Sequence, residues 1–241
     1  MPFFRIDDKL HFYAHVPKCA GASVEAYLRK RFGSLAFQNS SFYRVPEHAR
    51  WTRSSPQHVD SKSLELLFPS DWISSVFAVV RHPVMRLRSA YDYQKTGEKS
   101  VPEGMDINAW FLTWCESRDA RPFQFDNHPR PASELVPKTA TCFRMEDGLA
   151  DVVPHLDTLA GNSEGARKLP HENKSRGGAQ YTDAQAPLSQ ESLARLAEIY
   201  AEDFKRFGYV CEDVLKAAPK LSAKPKTSKP FLQRLLGGQT R

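Results

Sequence analysis

The segment LHFYAHV at residues 10–16 is an apolar and aromatic run that stops at Pro17, the pattern of a buried strand feeding a loop. Past the loop, Val24, Tyr27, Leu28 and Phe32 recur at helical spacing from Ser23 onward, so the order is strand, loop, helix. Residues 33–63 are polar, rich in Ser, Pro and His and without a clear period, which predicts a long irregular connection. Regular structure resumes with ISSVFAVV at 73–80, a β-branched and aromatic strand. Arg81 and His82 follow, and Pro83 stands where the first turn of a helix tolerates proline; that helix is expected to run to about Gln94, with Gly97 beyond its end. A helix over 106–116, a loop over 118–137 carrying four prolines, a third core strand over 139–145 and a helix over 146–159 come next. Residues 161–187 read as loop. Residues 189–207 form the clearest amphipathic helix, opened by Ser189 as N-cap and closed near Gly208. Strands alternating with helices predict an α/β fold, a parallel sheet flanked by helices.

With 241 residues the chain is long enough for one substantial domain over 1–215, followed by a tail over 216–241 whose Lys, Pro, Ser and Ala content predicts a flexible linker ending in FLQRLL. A hydrophobic fraction of 41% and a charged fraction of 26% set it apart from disordered and membrane classes but name no function. The formal charge of +6 comes from the tail, which holds seven Lys or Arg and no acid; without it 27 basic residues face 28 acidic ones. The near-neutral body excludes a nucleic-acid partner as the first expectation, and leaves the basic tail as the part suited to a membrane surface or a partner protein. Cys19, Cys115, Cys142 and Cys211 form no CxxC pair, so neither a zinc site nor a disulfide framework is expected, and no metal. The first residues lack the charged and apolar regions of a secretion signal, and no apolar run reaches the length of a membrane span, which predicts a cytoplasmic protein.

Candidate chemistry gathers at the two strand-to-helix junctions. A bound phosphate needs backbone N–H groups converging on it, a helix N-terminus behind it and a cation in front. Residues 17–23, PKCAGAS, supply small residues for close approach (Ala20, Gly21, Ala22), Lys18 for charge and the Ser23 hydroxyl at the helix start. The second junction, RHPVMRLRSAY at 81–91, sets Arg81 at a strand end as a planar bidentate donor and Ser89 two turns into the next helix.

Together these motifs resemble the sulfotransferases that use 3′-phosphoadenosine 5′-phosphosulfate (PAPS), in which a PKTGGTS-like loop holds the 5′-phosphosulfate and an R-x-P-x5-S motif binds the 3′-phosphate. The resemblance is closest to the carbohydrate-type enzymes, including the heparan sulfate 2-O-sulfotransferase branch, and spans roughly residues 10–210. It implies a P-loop-like sulfotransferase fold. It also implies that Lys18, Cys19, Ala20, Gly21, Ala22 and Ser23 bind the 5′ end of the donor, Lys18 also steadying the leaving oxygen, and that Arg81 and Ser89 bind the 3′-phosphate. HENKSRGGAQYT at 171–182 is similar to a late family loop, so Ser175 and Arg176 become further 3′-phosphate ligands. A His-Val pair upstream of the arginine strand makes His58 the expected base, with His15, His48, His82, Glu47 and Asp60 as rivals.

The loop departs from the family where Cys19 replaces Thr and Ala20 and Ala22 replace Gly and Thr, losing a hydroxyl while keeping every backbone donor. Cys19 has two readings, a thiol of lowered pKa beside Lys18 at a helix N-terminus or a small substitute for Thr. The expected acceptor is a hydroxyl of a carbohydrate or glycolipid, with Tyr43, Trp51, Trp110 and Trp114 available to stack on sugar rings. Two other classes stay open. One is a nucleotide- or glycan-binding protein of this fold without turnover. The other is a phosphoryl transferase, disfavoured because no Lys-Ser/Thr pair closes the loop and no metal-binding carboxylate follows an early strand.

Overall fold

In the computed structural model residues 2–170, 186–210 and 212 are described, so the expected tail over 216–241 lies outside the described residues. A four-stranded sheet runs in the order β1 (Phe3–Ile6), β2 (Lys9–Ala14), β3 (Ile73–Val80), β4 (Thr141–Arg144). The last three strands are parallel, with Ala14 opposite Ala78 and Val80 opposite Arg144. Strands with helices in the connections between them give the α/β architecture that the periodicity predicts.

The first strand was not legible in the residue pattern. Phe3–Ile6 turns back through Asp7 and Asp8 to pair antiparallel with β2, Phe3 opposite Phe12 and Ile6 opposite Lys9. Asp7 takes φ 51°, a left-handed turn position that Asp tolerates without the Gly that would have announced a hairpin. Phe3 and Phe12 stack with centroids 4.9 Å apart, and both are buried.

Helix α1 (Gly21–Phe32) buries Val24, Tyr27 and Leu28 against this sheet and stops at Gly33, whose φ of 87° turns the chain out of the helix. The irregular connection that follows contains single turns and one short helix, α2 (Ser61–Leu67), capped by Asp60, which accepts from the Ser63 backbone N at 3.1 Å and the Ser63 hydroxyl at 2.7 Å. Helix α3 (Pro83–Thr96) starts on the expected proline. Helix α4 (Ile107–Ser117) is capped by Asp106, a cap of the kind that contributes about 1 kcal/mol. A short helix α5 (Ala132–Leu135) interrupts the proline-rich loop before β4.

Two expected helices are shorter or divided. Residues 145–147 form a tight turn and Gly148 takes φ 84°, so the helix expected over 146–159 begins only at α6 (Val152–Ala160). The amphipathic stretch after Ser189 splits at Tyr200 into α7 (Gln190–Ile199) and α8 (Ala201–Phe207). Ser189 caps α7 as expected, accepting from the Ser192 backbone N at 3.1 Å.

Two apolar cores result. One is built on the sheet and centred on Phe12, Phe77 and Val79; the other joins α3, α4, α7 and α8 through Leu87, Trp110, Phe111, Leu196 and Tyr200. Trp110 and Trp114 belong to the second core at 1% and 3% exposure, which removes them as sugar-stacking candidates. Among the described residues no helix is long and apolar enough to cross a membrane.

Candidate active site

Parallel strands β2, β3 and β4 end on the same edge of the sheet, and the loops leaving that edge surround a cavity of about 880 Å³. After β2, Lys18 and Ala20 take φ of 67° and 59°, so the backbone coils tightly before α1 begins. The Ser23 and Val24 amides bond the Ala20 carbonyl, at 3.1 and 3.2 Å, while the Gly21 and Ala22 amides at the start of α1 donate to no carbonyl among the described residues, and Ala20, Gly21, Ala22 and Ser23 line the cavity there. Gly21 has a further reason to be glycine. A Cβ on it would lie 1.9 Å from His15 Nε2, so the imidazole occupies the space a side chain would need.

Lys18 reaches into the same space, its Nζ 4.0 Å from the centre of the Tyr93 ring. Burial, then the neighbouring Arg81 charge, lowers its pKa to about 8, the state of a cation short of anionic company. Arg81 leaves the end of β3 with its Nη1 3.5 Å from the Lys18 carbonyl, and Ser89 and Tyr93 line the cavity one helical turn apart on α3. Lys18, Ala20, Gly21, Ala22, Ser23, Arg81, Ser89 and His58, predicted from separate parts of the chain, therefore border one cavity. Ser175 and Arg176 lie outside the described residues.

Cys19 does not border it. Its side chain is fully buried, the thiol 3.6 Å from the Pro17 carbonyl, and burial pushes its pKa up to about 12. The lowered, reactive thiol expected from its position is overturned, because apolar burial outweighs the helix N-terminus and the nearby arginines. Of the two readings, the small substitute stands.

His58 closes a single turn, Pro56–His58, just before the cap of α2. Its Nδ1 lies 2.6 Å from Asp126 Oδ2. Asp126 also accepts from the Ser55 backbone N at 2.6 Å, the Ser55 hydroxyl at 2.7 Å and the Tyr43 hydroxyl. Burial raises the affinity of that carboxyl for a proton, yet the bond and charge of His58 and the other donors hold it well below the usual carboxylate range. An ionised Asp126 can only accept, so the shared proton belongs to His58 Nδ1, and in the neutral ring the lone pair is on Nε2. This is the base-and-orienter arrangement of general base catalysis.

Asp126 and its neighbours carry no local signal that would have marked them. Phe125, Asp126 and Asn127 hold φ of 55°, 52° and 62° in succession, a strain on the order of 1–3 kcal/mol per residue and least for Asp and Asn. The surrounding bonds hold the loop in place. Arg86 donates to the carbonyls of His128, at 2.9 Å, and Arg130; the Tyr200 hydroxyl donates to Pro129 O; and Asn127 Nδ2 donates to His58 O at 2.8 Å. Arg86, one of the two arginines between Arg81 and Ser89 in the second motif, thus has its own task, which is to anchor this loop.

The rivals for the base sort by position. Asp60 is the cap of α2, His82 Nε2 sits 3.2 Å from Val210 O, and His48 and Glu47 are exposed away from the cavity. His15 borders it, with its ring 4.8 Å from that of His58, but its Nδ1 is held by Glu25 at 2.6 Å. Burial lowers the His15 pKa to about 4. Glu25, pushed up by burial but held down by the combined bonds and charges of His15, Gln38 and Arg29, falls to about 2, so a neutral ring donates to a carboxylate.

His58, Asp126 and His128 bring ligand-type atoms within 4.8 Å of one another, a set that a metal ion can in principle use. Three donors already converge on Asp126 Oδ2 and a fourth on Oδ1, and His58 Nδ1 carries the proton a metal would have to displace. The set is a hydrogen-bonded array rather than a metal centre.

These features set a backbone-lined loop at a strand-to-helix turn, two cationic side chains and a histidine bonded to a carboxylate around one cavity, an arrangement suited to a transferase. A model of the sulfotransferase family matches residues 1–210, and the chain belongs to that family. No curated protein and no solved structure matches it.

Proposed function

We propose that the protein transfers the sulfuryl group of PAPS to a hydroxyl of a carbohydrate or glycolipid by in-line displacement at sulfur. The observation that carries this reading is the convergence on one cavity of two separate cationic positions, Lys18 at the amide-lined loop and Arg81 with Ser89 at the next junction, beside a histidine held by a carboxylate. A donor with phosphate groups at both its 5′ and 3′ positions suits two such positions; a triphosphate suits one.

In this reading the amides at the start of α1 bind the 5′-phosphosulfate, and Arg81 and Ser89 bind the 3′-phosphate. His58 Nε2 takes the acceptor proton as the acceptor oxygen bonds to sulfur and the bond from sulfur to the bridging oxygen breaks. Lys18 balances the charge that collects on the leaving phosphate. The acceptor class is supported by a second cavity of about 720 Å³ that reaches Asp126 from outside and is bordered by Tyr43 and Trp51, 40% and 67% exposed, with Arg50 and Arg121 among them. Exposed aromatic rings beside arginines suit a sugar chain bearing an anionic group.

Calorimetry with 3′-phosphoadenosine 5′-phosphate tests the donor. Binding should need no added metal and should weaken about 10–100-fold in Arg81→Ala, the loss of charge-assisted hydrogen bonds to a phosphate. Tighter binding of ATP with magnesium would sink the proposal.

A further inference from the structure

His128 is a polar side chain of the cavity that the reading above leaves without work. Its ring is buried at 3% exposure and stands 5.2 Å from the His58 ring. The position of its proton follows from the bonds around it. Ser100 Oγ lies 2.6 Å from Gln94 Oε1, a distance normal for O–H···O and short for N–H···O, whereas the alternative acceptor, Gln94 O, is 3.4 Å away. The hydroxyl therefore donates to the amide oxygen and turns the amide nitrogen toward His128, where Gln94 Nε2 and His128 Nδ1 are 2.9 Å apart. An amide nitrogen only donates, so Nδ1 is the acceptor and the neutral ring carries its proton on Nε2.

That Nε2 has no hydrogen-bond partner among the described residues and is not sealed from the cavity, which His128 borders. Arg86 fixes the ring's own backbone carbonyl. His58 and His128 are thus set in opposite tautomers by their outer partners, Asp126 for one and Gln94 for the other. Neighbouring rings then present a lone pair and an N–H to the same space.

We propose that His128 is a second catalytic residue, whose Nε2–H bonds to the acceptor oxygen while His58 Nε2 accepts that oxygen's proton. This deepens the sulfotransferase reading and rests on it. A hydroxyl oxygen has two lone pairs, one to bond to sulfur and one to accept from His128. Its proton goes to His58 Nε2, the pair of the breaking S–O bond goes to the departing phosphate, and His128 keeps its own proton throughout. A neutral amine has a single lone pair, which attack consumes, so His128 would be left facing it unpaired. A lost partner of this kind disfavours the amine on the order of 10–100-fold. The pair of histidines therefore selects oxygen acceptors.

Nitrogen NMR of the full chain labelled in its histidines tests the tautomer, the His128 signals being those lost in His128→Gln. The expected pattern is a neutral ring protonated on Nε2; protonation on Nδ1 overturns the proposal. Transfer of radiolabelled sulfate from PAPS to water tests the chemistry with no need of a known acceptor. His128→Leu should lower that rate about 100-fold with unchanged affinity for 3′-phosphoadenosine 5′-phosphate, and His128→Gln, which restores an N–H near the same place, should recover much of it. Unchanged turnover in His128→Leu, or an N-sulfated product in an acceptor screen, overturns the role of His128 alone. Absence of nucleotide binding in the unaltered chain would instead remove the sulfotransferase reading and leave the tautomer to be judged by NMR.

Discussion

Residues 17–23 offer the cavity mainly their backbone, whereas residues 125–131 work through side chains. The first loop is coiled by two left-handed residues, Lys18 and Ala20, and its binding groups are amides at the start of a 12-residue helix. The second is strained at three successive positions and survives because Arg86, Tyr200 and Asn127 each bond it to another part of the chain. A backbone cradle tolerates changes of side chain, since its N–H groups come from the main chain. An array of His58, Asp126, Ser55 and Tyr43 tolerates almost none, because each proton in it has one place to go.

The contrast is broken most severely at the side-chain array. His58→Ala should reduce transfer from PAPS to water or to a glycan roughly 10²–10⁴-fold, the range of a lost general base. Its affinity for 3′-phosphoadenosine 5′-phosphate, measured by calorimetry, should stay within about twofold if the cradle and the base are as separate as their construction implies. A matched fall in affinity would mean that His58 belongs to the cradle.

At the cradle the exception is Gly21, where the space is taken by His15. Gly21→Ala puts a Cβ against the imidazole, and His15 is not free to yield because Glu25 holds its Nδ1 and Tyr13 stacks on it, with ring centroids 5.7 Å apart. Thermal or urea unfolding should show a loss of about 1–3 kcal/mol, the cost of overpacking a filled site. Ala22→Gly, by contrast, should alter stability by less than about 1 kcal/mol, as expected near a helix start. Equal effects at the two positions would show that Gly21 is small for the ligand rather than for His15.

The same contrast explains what could be read in the chain beforehand. Both strand-to-helix junctions were legible because a strand, a turn rich in small residues and a helix follow one another locally, and PKCAGAS and RHPVMRLRS are contiguous. His58 was reached only through resemblance. Asp126, Gln94 and His128 were missed because their partners are 68 and 34 residues apart in pairs that no period connects. FDNH reads as one more polar turn in a proline-rich loop; Asp and Asn side by side hint at left-handed backbone, but nothing names His58 as the residue it serves. The hairpin at the N-terminus was missed for a different reason: Asp7 turns without glycine.

Lys18 gives a milder, graded test. Its free pKa of about 8 rises when a phosphate binds beside it, so the bound state holds a proton that the free state loses above that pH. Affinity for 3′-phosphoadenosine 5′-phosphate should be level below pH 8, and above it should fall by up to about tenfold per pH unit until the bound pKa is passed. Lys18→Arg, charged throughout, should flatten the profile. A slope that persists in that variant would assign the titration to another group.

The smallest effect is expected at Cys19, and its smallness is informative. The residue sits in the middle of the anion loop, yet its side chain points into the sheet core, with the thiol near the Pro17 carbonyl. Cys19→Ser keeps the size and a donor for that carbonyl, so nucleotide affinity should change by less than about twofold, within the usual spread for a substitution that leaves the binding groups alone. Because burial suppresses the thiolate, Cys19 should also resist alkylation in the folded chain while the half-buried Cys115 and Cys142 react sooner on local opening. A tenfold change in affinity, or rapid alkylation blocked by nucleotide, would show a side chain that reaches the ligand, and the division between a backbone cradle and a side-chain array would fail at its centre.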